Sequence, residues 1–123
     1  MTMTDYRIHP ENGLEIGIYT LGDRMPDPNT GLMPSEKERI DHLIKMATTA
    51  EAVGLDYFAL GESHQEFFVS QAHAVILGAI ARATEKIKIG SGVTVVSTSD
   101  PVRIFENFAT LDLLSNGRAE LTG

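Results

Sequence analysis

The 123-residue sequence contains no cysteine and no tryptophan. Without cysteine, the chain can form neither a disulfide framework nor a thiolate metal site. Basic residues are also few, with 10 lysines and arginines against 17 aspartates and glutamates and a formal net charge of −7. Because nucleic acids and anionic membranes are held mainly by clustered positive charge, this balance argues against both as partners.

Long hydrophobic runs are missing as well. No apolar segment approaches the roughly 18 residues that a membrane span requires, and the first ten residues are polar and mixed in charge. We therefore expect a cytoplasmic protein. With 42% hydrophobic residues, a chain of this length can form one modest domain with its own core.

The sequence instead alternates short apolar runs, typical of strands, with longer runs of helical periodicity. Strands are predicted at 14–20, 56–60, 87–96 and 118–121, and helices at 36–53, 71–83 and 101–115. The order β-α-β-α-β-α-β predicts parallel strands joined by right-handed crossovers. The loop from Leu21 to Pro34 is long for a strand-to-helix connection, and long loops at such positions often cover a binding site.

Helix boundaries have clear local signals. Ser35 with Glu38 has the pattern of a capping box, and Ser70 can cap the second helix. Asp100-Pro101 begins the third helix, and Asn116-Gly117 ends it. The second helix is apolar on most sides, which predicts heavy packing inside the fold or against another subunit. The third helix is predicted to bury a stripe at positions Ile104, Phe105, Phe108 and Leu111.

The third predicted strand carries two glycines, Gly90 and Gly92. Glycine in mid-strand weakens a strand unless its small size is needed, so these positions indicate close approach of a ligand or a tight packing contact. Neither side of the strand is consistently polar, which favours a parallel strand covered on both faces.

Two architectures fit this order of elements. One is a doubly wound sheet, but its glycine-rich phosphate loop is missing after the first strand. The other is the first half of an eight-stranded (β/α) barrel, for which about 250 residues is typical. A barrel places its active site at the carboxyl ends of the strands, and the polar residues of this sequence gather there.

Glu62 and His64 follow the second strand two positions apart, so in extended chain their side chains can face the same way. Histidine titrates near neutral pH and a carboxylate can orient its ring, which makes the two an acid/base candidate pair. They are less convincing as metal ligands, because a metal needs three or four donors and His73 is awkwardly placed one turn into a helix. The alternative is that both residues only bond backbone groups at the rim.

Four segments together resemble the bacterial luciferase-like flavin monooxygenases, and the resemblance covers nearly everything from Leu14 to the end. They are Gly61-Glu-Ser-His64, Ile87-Lys-Ile-Gly-Ser-Gly-Val-Thr-Val95, Asp100-Pro-Val-Arg103 and Leu111-Asp-Leu-Leu-Ser-Asn-Gly-Arg118. The resemblance implies a (β/α)₈ barrel of the TIM type, of which residues 1–123 would form about the first three and a half β/α units of a single, truncated domain. It also implies reduced FMN, or the deazaflavin F420, bound at the carboxyl-end face.

The resemblance further implies roles for individual residues. A non-proline cis peptide of the family corresponds to Gly92–Val93, which would lie against the flavin ring with Ser63 and Thr94 beside it. Glu62 and His64 match an acidic residue and a histidine at the reactive edge of the flavin. Ser63 stands where luciferase has its first histidine, and serine is not a base at neutral pH without help.

The expected function is therefore a flavin-dependent monooxygenase that acts on a small organic substrate with O₂. A separate flavin reductase and a homo-oligomer are the expected partners. One alternative is an F420-dependent hydride transferase on the same scaffold, and another is a non-catalytic flavin-binding or structural half-barrel. As the chain stops before the usual barrel phosphate site, we expect FMN binding by this chain alone to be weak or absent.

Overall fold

A computed structural model describes Glu11 and residues 13–123, and the polar first ten residues lie outside the described part. The predicted order of elements is confirmed. The elements are β1 (Gly17–Thr20), α1 (Glu36–Ala52), β2 (Tyr57–Leu60), α2 (His73–Ala83), β3 (Lys88–Ser91), α3 (Pro101–Ser115) and β4 (Ala119–Glu120). Within the described residues, no helix is long and apolar enough to cross a membrane.

The four strands form one parallel sheet in the order β1-β2-β3-β4. Side chains alternate across each strand, and the buried core joins a single face of the sheet to all three helices. A doubly wound sheet has helices on both faces and reverses its strand order, so this topology is that of a (β/α) barrel. The barrel prediction is confirmed, and the doubly wound alternative is wrong.

The core lies between the sheet and its helices. Phe58, Leu60 and Ile89 are fully buried on the helix-covered face. They meet one apolar stripe from each helix, at Leu43, Ala47 and Ala50 of α1, at Ile76, Leu77 and Ile80 of α2, and at Ile104, Phe108 and Leu111 of α3. The opposite face carries residues such as Tyr19 and Tyr57, and in a closed barrel this face would line the interior.

Local signals placed two of the three helices correctly. The capping box between Ser35 and Glu38 is formed in both directions, and the carboxylate of Asp100 accepts from the first turn of α3. Asn116 ends α3 in the left-handed conformation. Ser70 does not cap α2, which begins at His73. Its hydroxyl instead donates to the carbonyl of Leu21 in the first loop, at 2.6 Å.

The buried face of α3 differs from the prediction at one position. Phe105 is 71% exposed, whereas Ile104, Phe108 and Leu111 are buried. Residues at helical spacing of three and four share a face, and Phe105 lies one position away from the stripe that meets the sheet and α2. The second helix also has an open side, since Val75 is 75% exposed.

All four strands are shorter than predicted, and β1 and β3 differ most. β1 begins at Gly17, and the amide of Ile16 before it donates to the carboxylate of Asp56 at 2.9 Å. β3 ends at Ser91. The chain beyond it still donates to its neighbours, from Gly92 to the carbonyl of Leu60 and from Thr94 to that of Thr122, but turns away after Val95.

Candidate functional site

The polar residues that follow β2 and β3 meet at the carboxyl-end rim of the sheet. The chain after β2 reaches Glu62, and the chain after β3 passes directly beside it. The amide of Glu62 donates to the carbonyl of Val93 at 2.9 Å, and one carboxylate oxygen, Oε2, accepts from the amide of Val95 at 2.8 Å. Glu62 therefore holds the segment after β3 from both sides of Thr94.

The other carboxylate oxygen of Glu62 contacts His64. The distance from Oε1 to Nε2 of His64 is 2.6 Å. The two partners differ in exposure, because the Glu62 side chain is 8% exposed and that of His64 is 62% exposed. The sequence placed these two side chains on the same side, and the structure brings them together as a pair with one buried and one open member.

A third member of the site is His73, at the first position of α2. Its Nε2 lies 2.8 Å from the hydroxyl of Thr94, and its Nδ1 lies 3.8 Å from Oε2 of Glu62. Its ring also faces that of Phe108, with centroids 6.1 Å apart. From the sequence alone, His73 is considered only as a metal ligand, awkwardly placed one turn into a helix, whereas it is the first residue of α2. Spacing along the chain gives no signal for this contact, since Thr94 is 21 residues away.

The environment shifts the pKa of two of these groups. Burial raises the pKa of Glu62, but the hydrogen bonds with His64 and the Val95 amide outweigh burial, so the pKa lies below its usual value. Burial lowers the pKa of His73, and the nearby Glu62 carboxylate only partly opposes this shift. At neutral pH the site therefore contains an ionised Glu62 and a neutral His73.

The glycines of the rim lie beneath a tyrosine. A side chain at Gly92 would collide with the ring of Tyr19, and one at Gly61 would come within 2.7 Å of the Tyr19 hydroxyl. Tyr19 and Val93 are about half exposed, at 53% and 45%. Tyr19 thus covers Gly61 and Gly92, and Val93 follows Gly92 in the chain and accepts from the amide of Glu62; we call Tyr19, Gly61, Gly92 and Val93 the rim platform.

The prediction of a cis peptide between Gly92 and Val93 is wrong. The bond between Gly92 and Val93 is trans, and no cis bond occurs in the described residues. A cis bond that does not precede proline costs about 3–4 kcal/mol, so trans is the ordinary state of such a bond. The small size of Gly92 is instead required by the Tyr19 ring.

The other predicted contact residues occupy different positions. Ser63 is half-buried between Glu62 and His64. Thr94 is only 3% exposed and its hydroxyl is engaged by His73, so its side chain faces away from the rim platform. Behind the pair, a cavity of about 300 Å³ opens between the starts of α2 and α3, and Glu62, His73 and Thr94 line its inner wall.

The long first loop is attached to the loop after β2. The amide of Arg24 donates to the carbonyl of Phe67 at 2.7 Å, and Asp23 and Phe68 form an antiparallel bridge. The arginines of this region are already paired, Arg24 with Glu36 at 2.8 Å and Arg39 with the carbonyl of Asp23. In the part of the chain that the structure describes, no group of three or more metal-ligating side chains is assembled.

Comparison with known proteins gives one family. The family model described as luciferase-like monooxygenase matches residues 14–122. A luciferase-like monooxygenase of Escherichia coli K12 is 32% identical over 104 residues, which is 84% of this chain and 30% of the relative. The chain thus spans about a third of the length of that relative.

Two solved structures share the fold. The oxygenating constituent of 3,6-diketocamphane monooxygenase from Pseudomonas putida, in complex with FMN, aligns with a TM-score of 0.76 at 21% identity, over 89% of this chain and 29% of that one. The coenzyme F420-dependent tetrahydromethanopterin reductase of Methanopyrus kandleri aligns with a TM-score of 0.62 at 31% identity, over 87% and 26%.

The strand order, the single helical layer and the rim are those of a (β/α) barrel, and the family model spans nearly the whole described chain. The chain belongs to the luciferase-like monooxygenase family.

Proposed function

We propose that this chain forms the N-terminal part of a flavin-dependent monooxygenase that uses reduced FMN and O₂ to oxidise a small organic substrate. The observation that carries the proposal is the Glu62–His64 pair beside the rim platform, at the face where barrel enzymes place their active sites. Family membership supplies the class of chemistry, and the rim supplies residues suited to it.

The rim platform fits the ring system of a flavin better than it fits a phosphate. Gly92 and Gly61 leave room that Tyr19 occupies, and the half-exposed Tyr19 ring can rotate to admit a flat ligand. Val93 adds apolar surface beside it. By contrast, Arg24 pairs with Glu36 of α1 and Arg39 bonds the carbonyl of Asp23, so we assign a ring site and not a phosphate site to this region.

His64 is suited to act as a base at the edge of the ring. Glu62 is ionised and can only accept hydrogen bonds, so Nε2 of His64 carries the proton that points to Oε1. In the neutral ring, Nδ1 is then the nitrogen that can accept a proton from a substrate or flavin, on a side chain that is mostly exposed. Ser63 lies between the two in the chain and is half-buried, and we retain it as a candidate contact of the same cofactor.

Reduced flavin, when bound, supplies the electrons and the activation of O₂, and the protein supplies orientation and exclusion of water. The FMN-bound relative is described as an oxygenating constituent, which supports a separate flavin reductase as the source of reduced flavin. We also propose a homo-oligomer, in which the open side of α2 around Val75 is a candidate contact surface.

F420-dependent hydride transfer is the second candidate. It is favoured by the 31% identity to the F420-dependent reductase, which exceeds the identity to the FMN-bound structure. Both cofactors present a flat ring to the rim platform, so the same residues serve either reaction. The third candidate, a non-catalytic flavin-binding or structural unit, requires no role for His64.

Visible absorbance of the complete protein after incubation with each cofactor separates the candidates. Retention of FMN, followed by O₂ consumption on reduction, supports the monooxygenase. Retention of F420 alone supports hydride transfer. A colourless protein that retains neither cofactor contradicts both enzymatic candidates and leaves the structural one.

His64→Ala tests the site itself. Loss of a positioned base typically costs about 10²-fold or more in rate, so we expect flavin-dependent O₂ consumption to fall by that factor. His42→Ala is the matched control, because His42 is exposed on α1 and lies against the first loop, not in the Glu62–His64 pair. Equal turnover of the two variants would show that His64 has no part in the reaction.

A further inference from the structure

The buried histidine at the start of α2 has no role in the function proposed above. His73 is 5% exposed, and its two ring nitrogens face different partners, Thr94 through Nε2 and Glu62 through Nδ1. It contacts neither the rim platform nor the exposed ring of His64. It nevertheless shares a carboxylate with His64, since Glu62 faces both histidines.

The two contacts of His73 select one arrangement of its protons. If Nε2 carried the proton, a bare Nδ1 lone pair would face the Glu62 carboxylate at 3.8 Å, and two negative ends would oppose each other. If Nδ1 carries it, the N–H dipole points towards the carboxylate, and Nε2 accepts from the Thr94 hydroxyl at 2.8 Å. The surroundings therefore favour the neutral ring with its proton on Nδ1.

The other charged groups around His73 are consistent with a neutral ring. The start of α2 carries the positive end of the helix dipole, which disfavours a second proton on its first residue. From α3, Asp100 and Arg103 line the same cavity. Asp100 is engaged with the amides of its own first turn, and Arg103 pairs with Glu106 at 2.9 Å. Burial likewise lowers the pKa of His73.

We propose that His73 is a positioning residue: as the Nδ1-protonated tautomer it links Glu62 to Thr94, and through Glu62 it fixes the ring of His64 and the segment from Val93 to Val95. Its value for catalysis rests on the function proposed above. The linkage itself does not, so it is tested on the protein without flavin.

The link has a physical basis, because three groups interact with the same carboxylate. Glu62 receives the Val95 amide, the His64 ring and the Nδ1–H dipole of His73. Removing the His73 dipole leaves Oε2 with less stabilisation on its buried side, so the carboxylate can turn towards solvent and take His64 with it. Thr94, in turn, loses its acceptor, and the segment after β3 loses an anchor to α2.

The first measurement is ¹⁵N NMR of the histidine rings in the flavin-free protein. At neutral pH we expect His73 to be neutral with its proton on Nδ1, which ¹⁵N shifts and couplings of the two ring nitrogens identify. A ring protonated on Nε2 alone, or on both nitrogens, overturns the proposal. This result does not depend on cofactor or turnover, so it separates failure of this proposal from failure of the proposed function.

The second measurement compares His73→Phe with wild type. Phenylalanine keeps the ring volume and the packing against Phe108 but cannot bond Thr94 or Glu62. We expect the ring ¹⁵N signals of His64 to move, and hydrogen exchange of the Val95 amide to rise about three- to tenfold, the range for one lost hydrogen bond. Unchanged His64 signals in a folded variant overturn the proposal.

Thr94 gives an independent test should His73→Phe fail to fold. Thr94→Val keeps the shape and removes the hydroxyl donor, whereas Thr94→Ser keeps the donor. We expect Thr94→Val to shift the His64 signals and Thr94→Ser to restore most of the wild-type spectrum. Identical spectra for Thr94→Val and wild type contradict the linkage. His42→Gln, on the exposed face of α1, is the control that should leave both His64 and Val95 unchanged.

Discussion

Two glutamates hold the two ends of β3, and they do so with different partners. Glu51, at the end of α1, accepts from the amides of Glu85, Lys86 and Ile87 just before the strand, at 2.6–3.1 Å. Glu62 accepts from the amide of Val95 just after it. Both carboxylates have a lowered pKa, in each case because hydrogen bonds outweigh burial.

The partners beyond the backbone separate the two ends. Near Glu51 lies Arg118, whose guanidinium donates to the carbonyls of Ala81, Thr84, Ile87 and Ser115 and to the hydroxyl of Thr84. Glu62 instead gives one oxygen to an exposed histidine. At the amino end of the sheet, these polar groups thus bond one another inside the protein, and we call it the closed end. At the carboxyl end, the titratable side chain of His64 is exposed, as expected for the active-site face of a barrel, and we call it the open end.

Arg118→Met should have the largest effect and break the closed end. Five hydrogen bonds are lost, and several carbonyls are left without their donor, so we expect the free energy of unfolding to fall by about 3–5 kcal/mol in urea denaturation. Arg82→Met, at an exposed position in the last turn of α2, is the control, with an expected change within about 0.5 kcal/mol. Similar losses in both variants would mean that the guanidinium network contributes little.

Exchange of Glu51 or Glu62 for glutamine should affect stability and turnover differently. Glu51→Gln weakens bonds to three amides and should lower the free energy of unfolding by about 1.5–3 kcal/mol, with little effect on flavin chemistry. Glu62→Gln affects one amide and should cost less stability. Because Glu62 orients His64, it should reduce flavin-dependent turnover of the complete protein more than Glu51→Gln does. The reverse ranking in either assay would contradict the division of roles.

The two glycines of the third strand region give a smaller contrast. Gly90→Ala would collide with the Tyr57 hydroxyl and approach the Glu120 carbonyl to 3.0 Å, and overpacking of this kind costs about 1–3 kcal/mol. Gly92→Ala meets only the half-exposed Tyr19 ring, which can move, so its cost in thermal denaturation should be lower. In the complete protein, Gly92→Ala should nonetheless weaken FMN binding more than Gly90→Ala. Equal effects on FMN affinity would remove Gly92 from the cofactor site.

As the pH falls, the stabilisation contributed by His73 at the open end should be lost before that contributed by Glu51 and Glu62. The pKa of His73 lies below 6.5 in the folded protein, so below pH 6.5 the unfolded chain binds the proton more readily and stability falls. Glu51 and Glu62, with pKa values below 4.5, add their loss only as the pH falls below 4.5. Urea midpoints between about pH 7.5 and pH 5 should show the first phase in wild type and not in His73→Phe. A persistent first phase in that variant would assign it to another group.

The order of elements and most helix ends could be predicted from the sequence because they depend on neighbours along the chain. The capping box at Ser35 and the Asp100 cap need only residues within one turn. The cluster of polar residues at strand ends likewise located the rim. These signals fix which residues reach the site.

The remaining features depend on contacts between distant segments. Ser70 has the chemistry of a helix cap, but its hydroxyl finds the Leu21 carbonyl 49 residues away. Phe105 has the hydrophobicity of a core residue, but the packing of α3 turns it outwards. The contacts of His73 could not be predicted either, since only the folded chain brings Thr94 and Glu62 to its two ring nitrogens. Local pattern cannot rank such competing partners.

The bridge between Asp23 and Phe68 joins the first loop to the loop after β2, so the two loops should move together. Beyond the bridge, the tip of the first loop is held by its own hydrogen bonds. The Asp27 carboxylate accepts from the amides of Asn29 and Thr30, and the Asp27 carbonyl accepts from the amide of Gly31. Changes of length within this tip should therefore alter what can enter the rim without disturbing the loop's base. An insertion before Arg24 should shift the bridge and the residues that lead into α2, and so disturb the surroundings of the Glu62–His64 pair.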